Sequence, residues 1–322
     1  MATTAQVSAG DRPVPGDYVG LARGLHANLQ RVLLGAPGAV TVAVVAALSG
    51  GHLLLEDVPG VGKTVLARTI AASLGAGLSR VQGHPDLLPT DVTGVSVYSQ
   101  DTHTWEFRHG PVFAHVVLLD ELNRTPPRTQ SALLEAMEEQ QVTVDGTSWP
   151  LPRPHLVIAT QNPVGQLGTY PLVESQLDRF ALSTPLGYPD AAAEAQLALR
   201  HGGREALADL RAVCSTAEWA HAITVTRQVR VAPEIADYVV AISRATRQAG
   251  AVRLGASPRA SITLVRSAQT HALLYGRDYV SPVDIQAMAV PSLAHRLVTG
   301  GEPGAGAAVV ADVLRTTPAP RP

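Results

Sequence analysis

The chain has 322 residues, 46% of them hydrophobic and 16% charged; that excludes wholesale disorder and makes two domains the prior expectation. A formal net charge of −2 argues against a globally basic nucleic-acid binder, leaving only a local basic patch open. A single cysteine, Cys214, rules out a disulfide framework or a multi-cysteine zinc site within one chain.

Residues 1–15 are small, polar and proline-containing and predict a flexible tail. They lack a basic stretch followed by an apolar run, so no secretory signal is expected. Residues 32–55 carry no formal charge, but Gly35-Ala36-Pro37-Gly38 and Ser49-Gly50-Gly51-His52 divide them into pieces too short to span a bilayer. A buried helix near 39–48 and a buried strand at 52–55 are predicted instead, and a soluble, cytoplasmic protein without a membrane span is the default. Three apolar runs, 52–56, 115–120 and 155–160, lack polar alternation, as central strands of a parallel sheet covered on both faces do. After Tyr188-Pro189-Asp190 the pattern turns helical, with candidates at 190–200, 215–224, 233–249, 258–274 and 282–290; Asp190 and Ser281-Pro282 are helix starts. The expected organisation is an α/β core over 16–188 and a smaller all-helical domain over 189–300. Residues 301–322, rich in Ala, Gly, Pro and Thr, are expected to form a second flexible tail after at most one helical turn.

Of the 25 basic residues 24 are arginine, and the one lysine is Lys63. It lies in Asp57-Val58-Pro59-Gly60-Val61-Gly62-Lys63-Thr64, between the strand at 52–56 and the helical stretch that begins at Val65. Strand, glycine-rich loop and helix, in that order, form the context of a phosphate-binding loop. Gly60 and Gly62 let backbone N–H groups turn toward phosphate oxygens, and the helix N-terminus adds its positive dipole end. Lys63 places a compact charge between the β- and γ-phosphates, where the bulkier guanidinium fits poorly. The phosphate-binding set is therefore Pro59, Gly60, Val61, Gly62, Lys63, Thr64 and Val65, with the Thr64 hydroxyl a Mg2+ ligand. The loop departs from G-x-x-x-x-G-K-[ST] at its first position, which is Asp57. The run 116–119 ends in Asp120-Glu121, two carboxylates expected at the C-terminal edge of the sheet. Asp120 is a candidate Mg2+ ligand and Glu121 a candidate to activate the attacking water. The next strand ends in Thr160-Gln161-Asn162-Pro163, and Asn162 is placed to bond a γ-phosphate or the water.

GVGKT, LLDELNRTPPRTQSALLEAMEEQQVTVDG, ATQNP, LVESQLDRF and GASPRAS, in this order, resemble the MoxR family of AAA+ ATPases, as do PDLLPTDVTG and FRHGPVFAHVVLLDE. The resemblance covers roughly residues 20–298. It implies a hexameric, ATP-hydrolysing ring with an αβα core, a helical lid and two hairpin insertions, expected near 94–111 and 140–154. The Asp-Gly pair in VTVDGTSWPL suits the turn of the second. The resemblance also implies that Arg179 is an arginine finger acting on a neighbour's nucleotide and that Arg259, at the helix start in GASPRAS, is the sensor 2 residue. Arg259 acting in its own subunit or across the interface stays open, and Arg124 and Arg128 are either solvated or turned toward a neighbour. The family implies a protein client that is remodelled, matured or activated, with cofactor or metal insertion a recurring theme and a von Willebrand factor A domain protein a frequent partner. Two other functions compete: a nucleic-acid translocase of MCM type, weakened by the single base, Arg153, in the second hairpin, and an ATP-gated scaffold with little turnover. The histidines show no ligand spacing for zinc, Cys214 reads as a structural thiol, and Leu133, Leu134 and Met137 read as core. Tyr98, Trp105 and Phe107 are expected to pack within the first hairpin, with the lining of a pore or a partner groove as the alternative.

Overall fold

The computed structural model describes residues 18–58, 60–161, 169–199, 204–300 and 304–321. Two helices open it. α1 (Val19–Val32) buries Ala22, Leu25, Leu29 and Val32 along one stripe, whereas α2 (Pro37–Ser49) is apolar all round and buried along nearly its whole length. The core continues as β1 (Leu53–Glu56), α3 (Lys63–Ser73), β2 (Leu78–Gln82) and α4 (Pro89–Thr93). A hairpin of β3 (Gly94–Ser99) and β4 (Thr104–His109) leads to β5 (Val116–Asp120) and α5 (Pro127–Glu139). A second hairpin, β6 (Gln141–Val144) and β7 (Thr147–Pro150), is followed by β8 (Leu156–Gln161), a short α6 (Glu174–Leu177) and β9 (Leu182–Thr184).

The sheet order is β2-β5-β8-β1-β9, with every pairing parallel. Its apolar runs serve two cores, because successive side chains leave opposite faces. Leu53, Leu55, Val116, Leu118, Leu156 and Ile158 enter one core; Leu54, Val117, Leu119, Val157 and Ala159 enter the other. The second core is closed by α4 and α5, through Val92, Leu133, Leu134 and Met137.

The remainder is helical: α7 (Ala191–Leu199), α8 (Arg204–Ala208), α9 (Thr216–Thr226), α10 (Pro233–Gln248), α11 (Pro258–Leu274), α12 (Pro282–Leu293) and α13 (Ala305–Thr316), with a small antiparallel pair, β10 (Val252–Leu254) and β11 (Val298–Thr299). Asp190 bonds the Ala193 N–H, and Ser257 and Ser281 cap α11 and α12, each followed by proline at the first helical position. The lid helices share the first core with the sheet: Trp219 on α9 is buried, and its Nε1 donates to Ala47 O at 2.9 Å. No helix among the described residues is long and apolar enough to cross a membrane.

Within the tail expected over 301–322, Ala305–Thr316 form a helix instead. α13 runs for 12 residues and buries Val310 and Val313 against the lid. Gly306 packs so closely that an added Cβ would lie 2.3 Å from Ala294 O. The small-residue composition hid a helical stripe, Gly306, Val309, Val310, Val313 and Leu314, spaced by three or four. α1, β2 and β9 were also not expected: β2 is an edge strand with Ser79, Arg80 and Gln82 among its five residues, and β9 has only three. Residues 1–15 lie outside the described residues.

Both hairpins stand where the resemblance implied. Asp145 (φ +51°) and Gly146 (φ +76°) supply the positive dihedrals that a tight two-residue turn needs. Tyr98 and Trp105 meet edge to face across the first hairpin at 5.5 Å, while Phe107 stacks on Trp149 of the second at 4.7 Å, so the two hairpins brace one another.

Candidate nucleotide site

The loop after β1 has the geometry that its glycines predict. Gly60 and Gly62 sit at φ +88° and +104°, a region open mainly to glycine, and Gly62 caps the start of α3, so Lys63 and Thr64 fall in its first turn. Lys63 is buried, and its Nζ donates to the carbonyl of Asp57. Burial lowers its pKa, opposed by the carboxylates of Asp57, Asp120 and Glu121. The loop and the acid pair are therefore brought together at the C-terminal edge of the sheet, although β8 separates their strands.

Asp57 replaces the usual glycine without strain, since its φ is not positive. Its carboxylate does structural work instead. Oδ2 accepts from the N–H groups of Leu186 (2.8 Å) and Gly187 (2.6 Å), and Oδ1 accepts from Val58 N–H (2.8 Å). The phosphate loop is thereby tied to the segment leading from β9 to the lid.

Glu121 lies at φ +56°, a conformation uncommon for a non-glycine residue. Thr160 on β8 holds the pair: its Oγ1 donates to Asp120 Oδ1 and accepts from Glu121 N–H, each at 2.8 Å. Arg80 bonds Asp120 Oδ2 at 2.7 Å, and Arg124 bonds Glu121 Oε2 at 2.8 Å. Arg124 thus serves its own protomer's acid. Thr160 and Arg80 went unread in the sequence, because a threonine inside an apolar strand and an arginine on an edge strand carry no motif. Pro59 and Asn162 lie outside the described residues. No group of three or more His, Cys, Asp or Glu among the described residues is arranged to hold a metal. Thr64 offers a hydroxyl and Asp120 a carboxylate, the oxygen donors that Mg2+ takes beside phosphates and water; Asp120 Oδ1 and Oδ2 also accept from Thr160 and Arg80.

Beside the loop lies a largely apolar cavity of about 510 Å3, lined by Pro37, Ala39, Val42, Leu186 and Met288 among others.

Arg179 and Arg259 lie elsewhere. Arg179 precedes β9, whose Leu182 pairs with Leu53 at the start of β1, and Arg259 is close enough to His52, just before β1, to depress its pKa. Both are at the N-terminal edge of the sheet, with the phosphate loop at the far end of the four-residue β1, a strand about 13 Å long at roughly 3.3 Å per residue. There they meet: Glu138 receives Arg259 Nη1 at 2.7 Å and Arg179 Nε at 3.1 Å. Neighbouring Asp178 pairs not with Arg179 but with Arg296 (3.4 Å) and the Ser257 hydroxyl (3.2 Å). Arg296 is buried, which pulls its pKa down to about 10, and it also donates to Phe180 O at 2.8 Å. Arg179, Arg227, Arg259, Arg266 and Arg296 surround a cavity of about 340 Å3.

Residues 52–182 match the ATPase family associated with various cellular activities (AAA), and residues 244–316 match the AAA lid domain. The chain is 40% identical over 299 residues to Chaperone MoxR1 of Mycobacterium tuberculosis, covering 88% of this chain and 79% of that protein. It belongs to the MoxR family of AAA+ ATPases. YeaC of Bacillus subtilis is 47% identical over 271 residues, covering 84% of this chain and 85% of that relative. The crystal structure of a candidate ATPase from Cytophaga hutchinsonii superposes with a TM-score of 0.86 at 34% identity, covering 95% of this chain and 97% of that one. For a MoxR ATPase, the α/β core with a helical lid is thus as its sequence implied, and the lid match extends through α13.

Proposed function

We propose that this chain is the subunit of a ring-forming, Mg2+-dependent ATPase that remodels, matures or activates a protein client. The supporting observation is the separation of the phosphate loop and acid pair from Arg179 and Arg259 on opposite edges of one sheet. A complete hydrolytic site then needs a second copy, docked head to tail, a contact that generates a ring when its rotation closes. A hexamer is the ring the family implies.

In this reading the N–H groups of residues 60–65 and the Lys63 ammonium bind the phosphates, Pro59 shapes the loop, and the base enters the apolar cavity beside Leu186. Mg2+, held by Thr64 and Asp120, neutralises phosphate charge when bound. Glu121 takes the proton of the attacking water, and Thr160 fixes its backbone. Asn162 senses the γ-phosphate or orients the water. The neighbour's Arg179 stabilises the negative charge that develops on the transferred group, and Arg259, on the lid helix, acts in trans and couples nucleotide state to lid position. Core (16–188) and lid (189 through α13) are the moving parts. The name of Chaperone MoxR1 favours a protein client over a nucleic acid, as do the hairpin tips: Asp101-Thr102-His103 and Asp145-Gly146 carry no lysine or arginine. A von Willebrand factor A domain partner, cofactor or metal insertion and a cytoplasmic site of action complete the proposal.

The test is specific ATPase activity against protein concentration, with particle mass recorded under ATP, for the parent and Glu121→Gln. Activity should rise as the ring assembles, while Glu121→Gln assembles, binds ATP and turns over at least 100-fold more slowly. Full activity in monomer-sized particles would sink the reading. DNA-stimulated turnover that fades with salt would favour the translocase.

A further inference from the structure

We propose that Glu138 is a positioning residue for hydrolysis: a single carboxylate that aims Arg179 and Arg259 together at the phosphates held by the adjoining copy. The proposal rests on the reading in which these arginines serve a neighbour's nucleotide.

Glu138 sits in the last turn of α5, whose Leu133, Leu134, Ala136 and Met137 are buried in the second core, so its backbone is anchored. Its two oxygens divide their work. Oε1 takes Arg259 Nη1 at 2.7 Å, and Oε2 takes Arg179 Nε at 3.1 Å. The ion pair to Arg179 is made through Nε at 3.1 Å, and the planar fork carries further N–H donors on its two terminal nitrogens that suit an anion. The two arginines come from different parts of the chain, Arg179 from the loop after α6 and Arg259 from lid helix α11. The Ser257–Asp178 hydrogen bond ties the two segments together, and Glu138 is the acceptor that the two arginine side chains share.

The charge balance agrees. Five arginines line this cavity against two carboxylates, Glu138 and Asp178. Asp178 is engaged by Arg296 and Ser257, so Glu138 is the carboxylate that restrains the two arginines' mutual repulsion. The cavity keeps a net positive charge, as a phosphate receptor requires. Glu138 touches no reacting atom in this arrangement. It acts through the arginines.

The test compares Glu138→Gln and Glu138→Ala in the full chain. Glu138→Gln keeps the shape and removes the charge, so it remains informative should the alanine variant fold poorly. Nucleotide binding, titrated with a fluorescent ATP analogue, should stay within twofold of the parent, because the phosphate loop lies on the other edge. kcat should fall at least tenfold with KM little changed. Glu138→Gln subunits are then mixed with Lys63→Ala subunits, which are silent alone. Activity above that of either separate preparation is expected, since an intact phosphate loop from one meets an intact arginine face from the other. Unchanged or increased kcat, loss of ring assembly, or a parallel loss of nucleotide binding would each overturn the proposal. A parallel mixture of Arg179→Ala with Lys63→Ala separates the two levels. If that mixture regains activity and the Glu138→Gln mixture does not, Glu138 is excluded and the trans arginines stand; if neither regains it, the trans reading fails and takes the proposal with it.

Discussion

Asp57 shows how much one departure from a motif can contain. A carboxylate stands where a glycine is usual, and no positive φ demands the glycine; the side chain instead satisfies the N–H groups of Leu186 and Gly187. Removing it leaves buried donors without their acceptor, which costs about 1–3 kcal/mol. Asp57→Ala should therefore lower unfolding stability by that amount in a urea titration, with Asp57→Asn recovering most of the loss. An unchanged midpoint for Asp57→Ala would break the proposed link between phosphate loop and lid segment. The lone lysine, the glycine pair and Asp120-Glu121 were legible in the sequence because each is a local pattern with a chemical reason. Thr160, Arg296 and Glu138 were not, since the bonds to Asp120, Phe180 and Arg259 that give them their places each reach at least 40 residues along the chain.

Among elements, α13 is the clearest correction. Its apolar stripe is short and set among alanines and glycines, so composition masked periodicity. Val310 is fully buried, and Val310→Ala should cost roughly 1–3 kcal/mol, as large-to-small core substitutions do. A urea midpoint matching the parent's would mean the helix is not docked in solution. The hairpins present the opposite case. An Asp-Gly turn between alternating segments dictates its own geometry, so β6–β7 could be placed from local sequence, whereas the stacking of Phe107 on Trp149 joins segments more than 40 residues apart and emerges only from the fold.

Across the whole molecule, His52, His155 and His295 set a pH limit. Burial, the largest cause in each case, lowers His52 and His155 to about 4 and His295 to about 3. The folded chain therefore keeps them neutral, while the unfolded chain protonates them near 6.5. Stability from these groups is full above about pH 6.5 and declines as pH falls toward 4. Thermal midpoints measured from pH 7.5 to 4.5 should drop, and the drop should shrink in His52→Gln. A flat profile would show that these histidines are solvated. By itself the sequence determined the α/β core followed by helices, the phosphate loop and the acid pair, because strand apolarity and glycine placement are short-range; the two hairpins came from the family resemblance, with an Asp-Gly turn supporting the second. Only the tertiary structure decided that Arg179 and Arg259 occupy the edge of the sheet opposite the phosphate loop and acid pair. Arg179 and Arg259 lie 80 residues apart in the chain yet share one carboxylate, and both stand a strand's length from the phosphate loop. Parallel strands send their two ends to opposite edges, and sheet order, set by long-range burial of both faces, cannot be read from any single segment.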